Sequence, residues 1–245
     1  MRRMSGWKDE QVIIVGGGIG GLAAALALAR QGVPSQVIEQ APEFKEIGAG
    51  IQLGPNVFRM FERLGLIEPV SALAVFHSNR YEEGWDTYGD PTELHERFAK
   101  TCEPVRTLLN KIESWRMWVL CDRPPIKDWS RGRITLLGDA AHPMLQYLAQ
   151  GAGMSIEDAV CLADRAAAAN GDYAAAFLAY QQARYLRTGR VQIMARVYGE
   201  FYHAAGVAKE LRNIMLSSRS TADAMAGMAW LYGEQKELSS GAAAA

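Results

Sequence analysis

The stretch QVIIVGGGIGGLAAALALARQG occupies residues 11–32, and its reading decides the fold. Val12 to Val15 is a short β-branched run that suits a buried parallel strand. Gly16, Gly18 and Gly21 follow in the pattern G-x-G-x-x-G. Leu22 to Arg30 is rich in alanine and leucine and reads as a helix, which Gly32 closes. Gln36 to Glu39 reads as a second strand, ending in an acid eighteen residues after Gly21.

Each part has a physical task. Gly16 permits the tight turn, Gly18 lets backbone approach a pyrophosphate, and Gly21 lets helix and strand pack closely. The helix N-terminus presents unpaired N–H groups and partial positive charge to phosphates. Glu39 is placed to accept hydrogen bonds from an adenosine ribose. A glycine-rich turn without a ligand competes with the bare motif. Strand, helix and acid in the right order favour a nucleotide. NAD and FAD share the ADP half, so this stretch leaves the choice between them open.

Further along, GRITLLGDAAHPMLQYLAQGAGMSIEDA spans residues 132–159. Ile134 to Leu137 reads as another short buried strand, with Gly138-Asp139 at its carboxyl end, where open α/β sheets bind ligands. A helix is expected from Met154, with Ile156, Val160, Ala163 and Ala167 on its apolar face. Gly151, Ala152 and Gly153 form its small-residue entrance. Alone, Asp139 reads equally as a cap or turn residue.

Together with APEFKEIGAGIQLGPN at residues 41–56, these strings resemble the two separated motifs of the group A flavoprotein aromatic hydroxylases. The resemblance runs from Val12 to about Tyr232. It implies an α/β, Rossmann-like FAD-binding fold of the glutathione reductase type. It implies FAD as cofactor and NADH as electron donor, with O2 and a hydroxybenzoate-like aromatic acid as substrates. The implied cofactor-binding residues are Gly16, Gly18, Gly21, Glu39, Gln40, Lys45, Gln52, Asp139, Gly151 and Ala152. Lys45 by itself reads as a solvated lysine. The implied substrate-side candidates are Gln146 and Tyr147; Gln146 reads equally as a loop glutamine facing solvent. Two other classes stay open: an NAD-dependent dehydrogenase and a non-enzymatic scaffold.

The resemblance also exposes a seam. VSALAVFHSNRYEEGWD, residues 70–86, joins family-like text on its left to family-like text on its right. Members of the group are longer by about one domain, ~150 residues. The text they carry at this place includes an Asp-Gly motif, most of the substrate β-sheet and the phenol-activating histidine. This chain has no Asp-Gly dipeptide. None of His77, His95, His142 and His203 matches the family's catalytic position, so no general base is assigned. His142 reads as structural or capping. The expected organisation is therefore an FAD-binding domain in two pieces, 1–75 and 122–170. A remnant of the substrate domain spans 76–121, and a helical C-terminal region spans 171–245. A sheet short of one strand is expected to expose its edge and apolar surface, and so to associate. Trp115 to Cys121 is a candidate replacement strand.

The totals agree with an ordinary globular chain: 49% hydrophobic, 22% charged, formal net charge −1. That charge offers no case for nucleic acid or an anionic membrane. Cys102, Cys121 and Cys161 are too scattered for a metal site and read as reduced, packing thiols of a cytoplasmic protein. MRRMSGWKDE is not a signal peptide, and GGGIGG interrupts the apolar run that follows, which argues against a membrane span. Arg184, Arg187 and Arg190, three residues apart, read as a solvated helix face, and the resemblance implies a homodimer through this region.

Overall fold

A computed structural model describes residues 11–43, 60, 63–64, 88–110 and 120–233. The chain divides into two compact units. The first comprises residues 1–44, 51–70 and 121–245; the second comprises 45–50 and 71–120.

In the first unit, β1 (Val12–Val15), α1 (Ile19–Arg30) and β2 (Ser35–Ile38) form a β-α-β unit. The strands pair in parallel, Val12 opposite Ser35 and Val15 opposite Ile38. Gly32, φ 72°, ends α1 in the left-handed conformation that glycine adopts without penalty. Period-2 alternation turns Val12 and Ile14 toward the core with Ala24, Ala27, Leu28 and Val33. It turns Ile13 and Val15 outward, where they stay 51% and 85% exposed. A parallel sheet normally has both faces covered. Here, among the described residues, β1 pairs with β2 alone, and one apolar face is open.

Ile134 to Leu137 departs from expectation. Only Ile134–Thr135 (β4) is strand, and it pairs antiparallel with Ser130–Arg131 (β3), not with the parallel sheet. Gly132, φ 56°, makes the reversal, and the Ser130 and Thr135 hydroxyls bond at 2.8 Å. A local hairpin thus takes the strand's hydrogen bonds. Residues 115–119 of the candidate replacement strand lie outside the described residues, and Leu120 and Cys121 are irregular and exposed.

The helices carry the core. α4 (Gly151–Ala168) starts three residues earlier than expected, and every residue from Gly153 to Val160 is buried. α5 (Tyr173–Tyr202) packs along it, capped by the Asp172 side chain on the Ala175 N–H at 3.0 Å. Gln181 of α5 accepts from the Trp129 and Ser130 N–H groups, and Gln192 donates to the Arg123 and Pro143 carbonyls. These side chains fasten Arg123, Trp129, Ser130 and Pro143 to α5. α6 (Gly206–Ser217) and α7 (Thr221–Tyr232) follow, the latter with a Ser220–Asp223 capping box. α6 buries none of its residues, so Val207, Leu211 and Ile214 face water.

In the second unit, α2 (Pro91–Phe98) is capped by Asp90 on the Thr92 N–H, and α3 is Glu103–Leu109. Leu94 and Leu109 are their buried residues, and His95 is exposed. The cysteines do not pack as expected: Cys102 and Cys121 are exposed, and only Cys161 is partly covered, where burial pushes its thiol up. Among the described residues, no helix is long and apolar enough to cross a membrane.

Candidate functional site

The glycine loop after β1 is built as its spacing requires. Gly16 has φ 104°, a region L side chains rarely enter. A Cβ on Gly21 would lie 2.0 Å from the Gly16 carbonyl oxygen, so only glycine lets α1 turn this close to β1. A Cβ on Gly16 or Gly18 would meet nothing within 4 Å. Those positions border open space, as a phosphate cradle must. α1 has no side-chain cap at Gly18, which leaves its first-turn N–H groups to a ligand.

Glu39, just past β2, reaches this loop. Its Oε2 accepts from the Gly17 N–H at 2.5 Å and its Oε1 from the Ala41 N–H at 2.8 Å. The Ala41 and Gly17 N–H groups hold its carboxyl below the usual range. Two hydrogen bonds leave a carboxylate with further acceptor capacity. Gln40 is exposed beside it; Lys45 and Gln52 lie outside the described residues.

The second motif converges on the first. A Cβ on Gly20, in the opening turn of α1, would come within 2.7 Å of Leu137 Cδ2 and 3.4 Å of Ser155 Cβ. Residues 20, 137 and 155 therefore touch, though far apart in the chain. After Leu137, Gly138 (φ 62°) begins the tight turn Gly138–Ala140, which exposes Asp139. Asp139 Oδ1 lies 3.9 Å from where a Gly151 Cβ would sit, at the opening of α4. Asp139, Gly151 and Ala152 thus share one locale.

Between them runs the turn Gln146–Leu148. Both amide atoms of Gln146 are buried with no hydrogen-bond partner among the described residues. Leaving such a group unpaired costs about 1–3 kcal/mol, so the position suits a ligand partner. The Tyr147 ring instead lies on the end of α5, 5.5 Å from the His203 ring and against Gly199. Burial and the nearby Glu200 charge push its hydroxyl up. Ala149, φ 52°, takes the left-handed region without being glycine, a local strain at the entrance to α4.

The arginines overturn the solvated-face reading. Arg184 and Arg187 are buried; of the three, only Arg190 is exposed, stacked on Trp230 at 4.2 Å. Arg184 donates to Asp158 Oδ1 at 2.6 Å and Glu157 Oε2 at 2.9 Å. Arg187 donates to both Glu157 oxygens and to the Trp230 and Leu231 carbonyls at the end of α7. Burial opposes the charge on Asp158, but Arg184 and the His142 hydrogen bond prevail and hold its carboxyl at about 2. Burial likewise opposes the Arg184 charge, and Asp158 and Glu157 push it up. His142 is fully buried, and its Nε2 donates to Asp158 Oδ2 at 2.5 Å, a structural role as expected. Glu157-Asp158 stands in the sequence beside the apolar residues of α4, but nothing local to it names the arginines as partners.

No ligand-type cluster for a metal ion occurs among the described residues. The open glycine cradle, the Glu39 carboxylate beside it and the Asp139–Gly151 pair are chemically suited to holding FAD.

Comparison with known proteins agrees. The FAD binding domain family model matches residues 9–80 and 71–192, and the chain belongs to that family. Its relatives are flavoprotein aromatic hydroxylases. A 3-hydroxybenzoate 6-hydroxylase of Polaromonas naphthalenivorans is 28% identical, covering 92% of this chain and 96% of the relative. That alignment runs over 384 positions but takes in 92% of a 245-residue chain, so about 160 positions face no residue of this chain. A 3-hydroxybenzoate 6-hydroxylase of Klebsiella oxytoca is 41% identical over 67% of this chain but only 42% of its own length. The fold is that of an HpxO variant from Klebsiella pneumoniae solved with FAD: TM-score 0.75, 18% identity, 89% of this chain and 97% of that one. A salicylate hydroxylase substrate complex superposes with TM-score 0.68 at 18% identity, covering 92% and 95%. The two family matches meet at residues 71–80, inside the seam.

Proposed function

We propose that this chain is an FAD-dependent hydroxylase of a hydroxybenzoate, of the 3-hydroxybenzoate 6-hydroxylase kind, with turnover impaired by the absent segment. NADH is the electron donor and O2 the co-substrate. The observation that carries the reading is the contact of Gly20 with Leu137 and Ser155, which brings both FAD motifs together across the seam.

When bound, FAD would supply the redox chemistry: electrons from the nicotinamide and activation of oxygen. The chain's own residues bind and orient. The α1 N-terminus and Gly18 backbone receive phosphates, Glu39 the adenosine ribose, and Asp139 the ribityl hydroxyls. The α4 N-terminus at Gly151 and Ala152 would hold the ring side of the cofactor and favour negative charge there. Gln146 offers its unpartnered amide to the aromatic acid. Tyr147 holds that turn to α5 through its ring.

A second reading has its own support. The open apolar face at Ile13, Val15 and Ile38 means that cover is missing, and water access favours futile oxidation of NADH. The chain is then an FAD-binding remnant with uncoupled NADH oxidase activity. The boundaries 1–75, 76–121, 122–170 and 171–245, a cytoplasmic location and a homodimer belong to the same proposal.

The test is a visible spectrum of the desalted protein, with the released cofactor identified by chromatography. NADH oxidation is then followed with and without 3-hydroxybenzoate, and hydroxylated product is counted against NADH. Product in step with NADH supports the hydroxylase. NADH loss without product supports the remnant. A protein that stays colourless with added FAD defeats both.

A further inference from the structure

The buried carboxylate of Asp158 is the junction of three elements. Its Oδ1 takes the Arg184 guanidinium of α5 at 2.6 Å. Its Oδ2 takes the His142 ring at 2.5 Å and the Gly138 backbone N–H at 3.3 Å. Asp158 itself belongs to α4, and it is fully buried. One side chain therefore ties both ends of the turn 138–142 to α4. Glycine is required at 138 twice over: φ is 62°, and a Cβ would fall 2.6 Å from Ser155 Oγ. The turn lies so close to α4 that its next residue, Asp139, faces Gly151.

We propose that Asp158 is a positioning residue for the cofactor, holding the Gly138–Asp139 turn in register with the N-terminus of α4. The inference rests on the FAD reading above and adds a residue that never touches the ligand. Arg184 keeps the carboxylate charged and fixes its rotamer, and His142 shares the oxygen that Gly138 uses. If the clasp is released, Asp139 loses its fixed distance from Gly151. Helix packing elsewhere keeps Glu157 and Arg187 to hold it.

The test compares Asp158→Asn with Asp139→Asn, the double variant, and Arg187→Met, which weakens the same ion-pair network away from the turn. Hydrogen exchange on the ligand-free proteins is read peptide by peptide, and FAD affinity is read by flavin fluorescence. For Asp158→Asn, faster exchange confined to 136–142 and an FAD affinity weaker by roughly tenfold are expected. In the Asp139→Asn background the same change should do little further, because it acts through Asp139. Arg187→Met should loosen α4, α5 and α7 together and leave FAD affinity within about twofold. Exchange that rises equally across α4 and α5 in Asp158→Asn, or additive losses of affinity, would overturn the proposal. A parent chain that binds no FAD defeats the FAD reading and this proposal with it. The exchange pattern still separates that case, since it reports whether Asp158 holds the turn.

Discussion

The β1–β2 sheet and the α4–α5 helix pair lie in one unit, yet they are finished to different degrees. Around α4, eight successive residues are buried, and the charges among them are matched by Arg184, Arg187 and His142. On β1, every second residue is an apolar side chain facing water. Both helices of the pair come from text on one side of the seam. Both strands of the parallel sheet come from the other side and, among the described residues, pair only with each other. The helix pair is complete even though α4 also packs on α1 from the other side of the seam; among the described residues, the outer face of β1 and β2 has no such element laid against it.

The largest expected effect lies in the helix pair. Arg184→Met strands the Asp158 charge in the core and should cost about 3–5 kcal/mol in denaturant unfolding. A loss below 1 kcal/mol would mean that the pair is less committed than its burial suggests. Next comes the glycine loop. Gly21→Ala drives a Cβ into the Gly16 carbonyl, so a loss of about 1–3 kcal/mol in thermal unfolding and loss of FAD binding are expected. Gly18→Ala meets open space and should leave stability within about 0.5 kcal/mol while weakening FAD in a fluorescence titration. Equal effects from the two would remove the distinction between fold glycine and ligand glycine.

Acid supplies a third probe. The Asp158 carboxyl is depressed in the folded chain to about 2, so its contribution is complete above its unfolded value near 3.8. It is lost as pH falls from there toward 2, a change of about 2 kcal/mol in stability against pH. Asp158→Asn should flatten that limb of the curve. The smallest stability effect is expected on the open sheet. Val15→Lys, at an 85% exposed position, should change unfolding by less than about 0.5 kcal/mol. It should also reduce self-association seen by light scattering. A cost near that of Arg184→Met would show that the face is covered after all.

What could be read from sequence was local. The glycine spacing from Gly16 to Gly21 and the acid at Glu39 act through their own backbone and near neighbours, so pattern alone located them. The Arg184–Asp158 and Arg187–Glu157 pairs could not be read that way. Whether an arginine is solvated or buried depends on a partner some thirty residues away and on the helix packing that excludes water. Ile134–Leu137 misled for a related reason. Its β-branched start suits a strand, but strand identity depends on which edge is available, and Gly132 supplies a local one. Gln146 was legible as a loop glutamine; its burial without a partner among the described residues was not.

The contact of Gly20 with Ser155 has a consequence for chain statistics. It closes a loop of about 135 residues here, whereas a relative carrying the further 160 or so positions must close one about twice as long. Loop-closure entropy grows only with the logarithm of length, so halving the loop favours closure by about 0.6 kcal/mol. The shorter connection slightly eases the meeting of the two motifs.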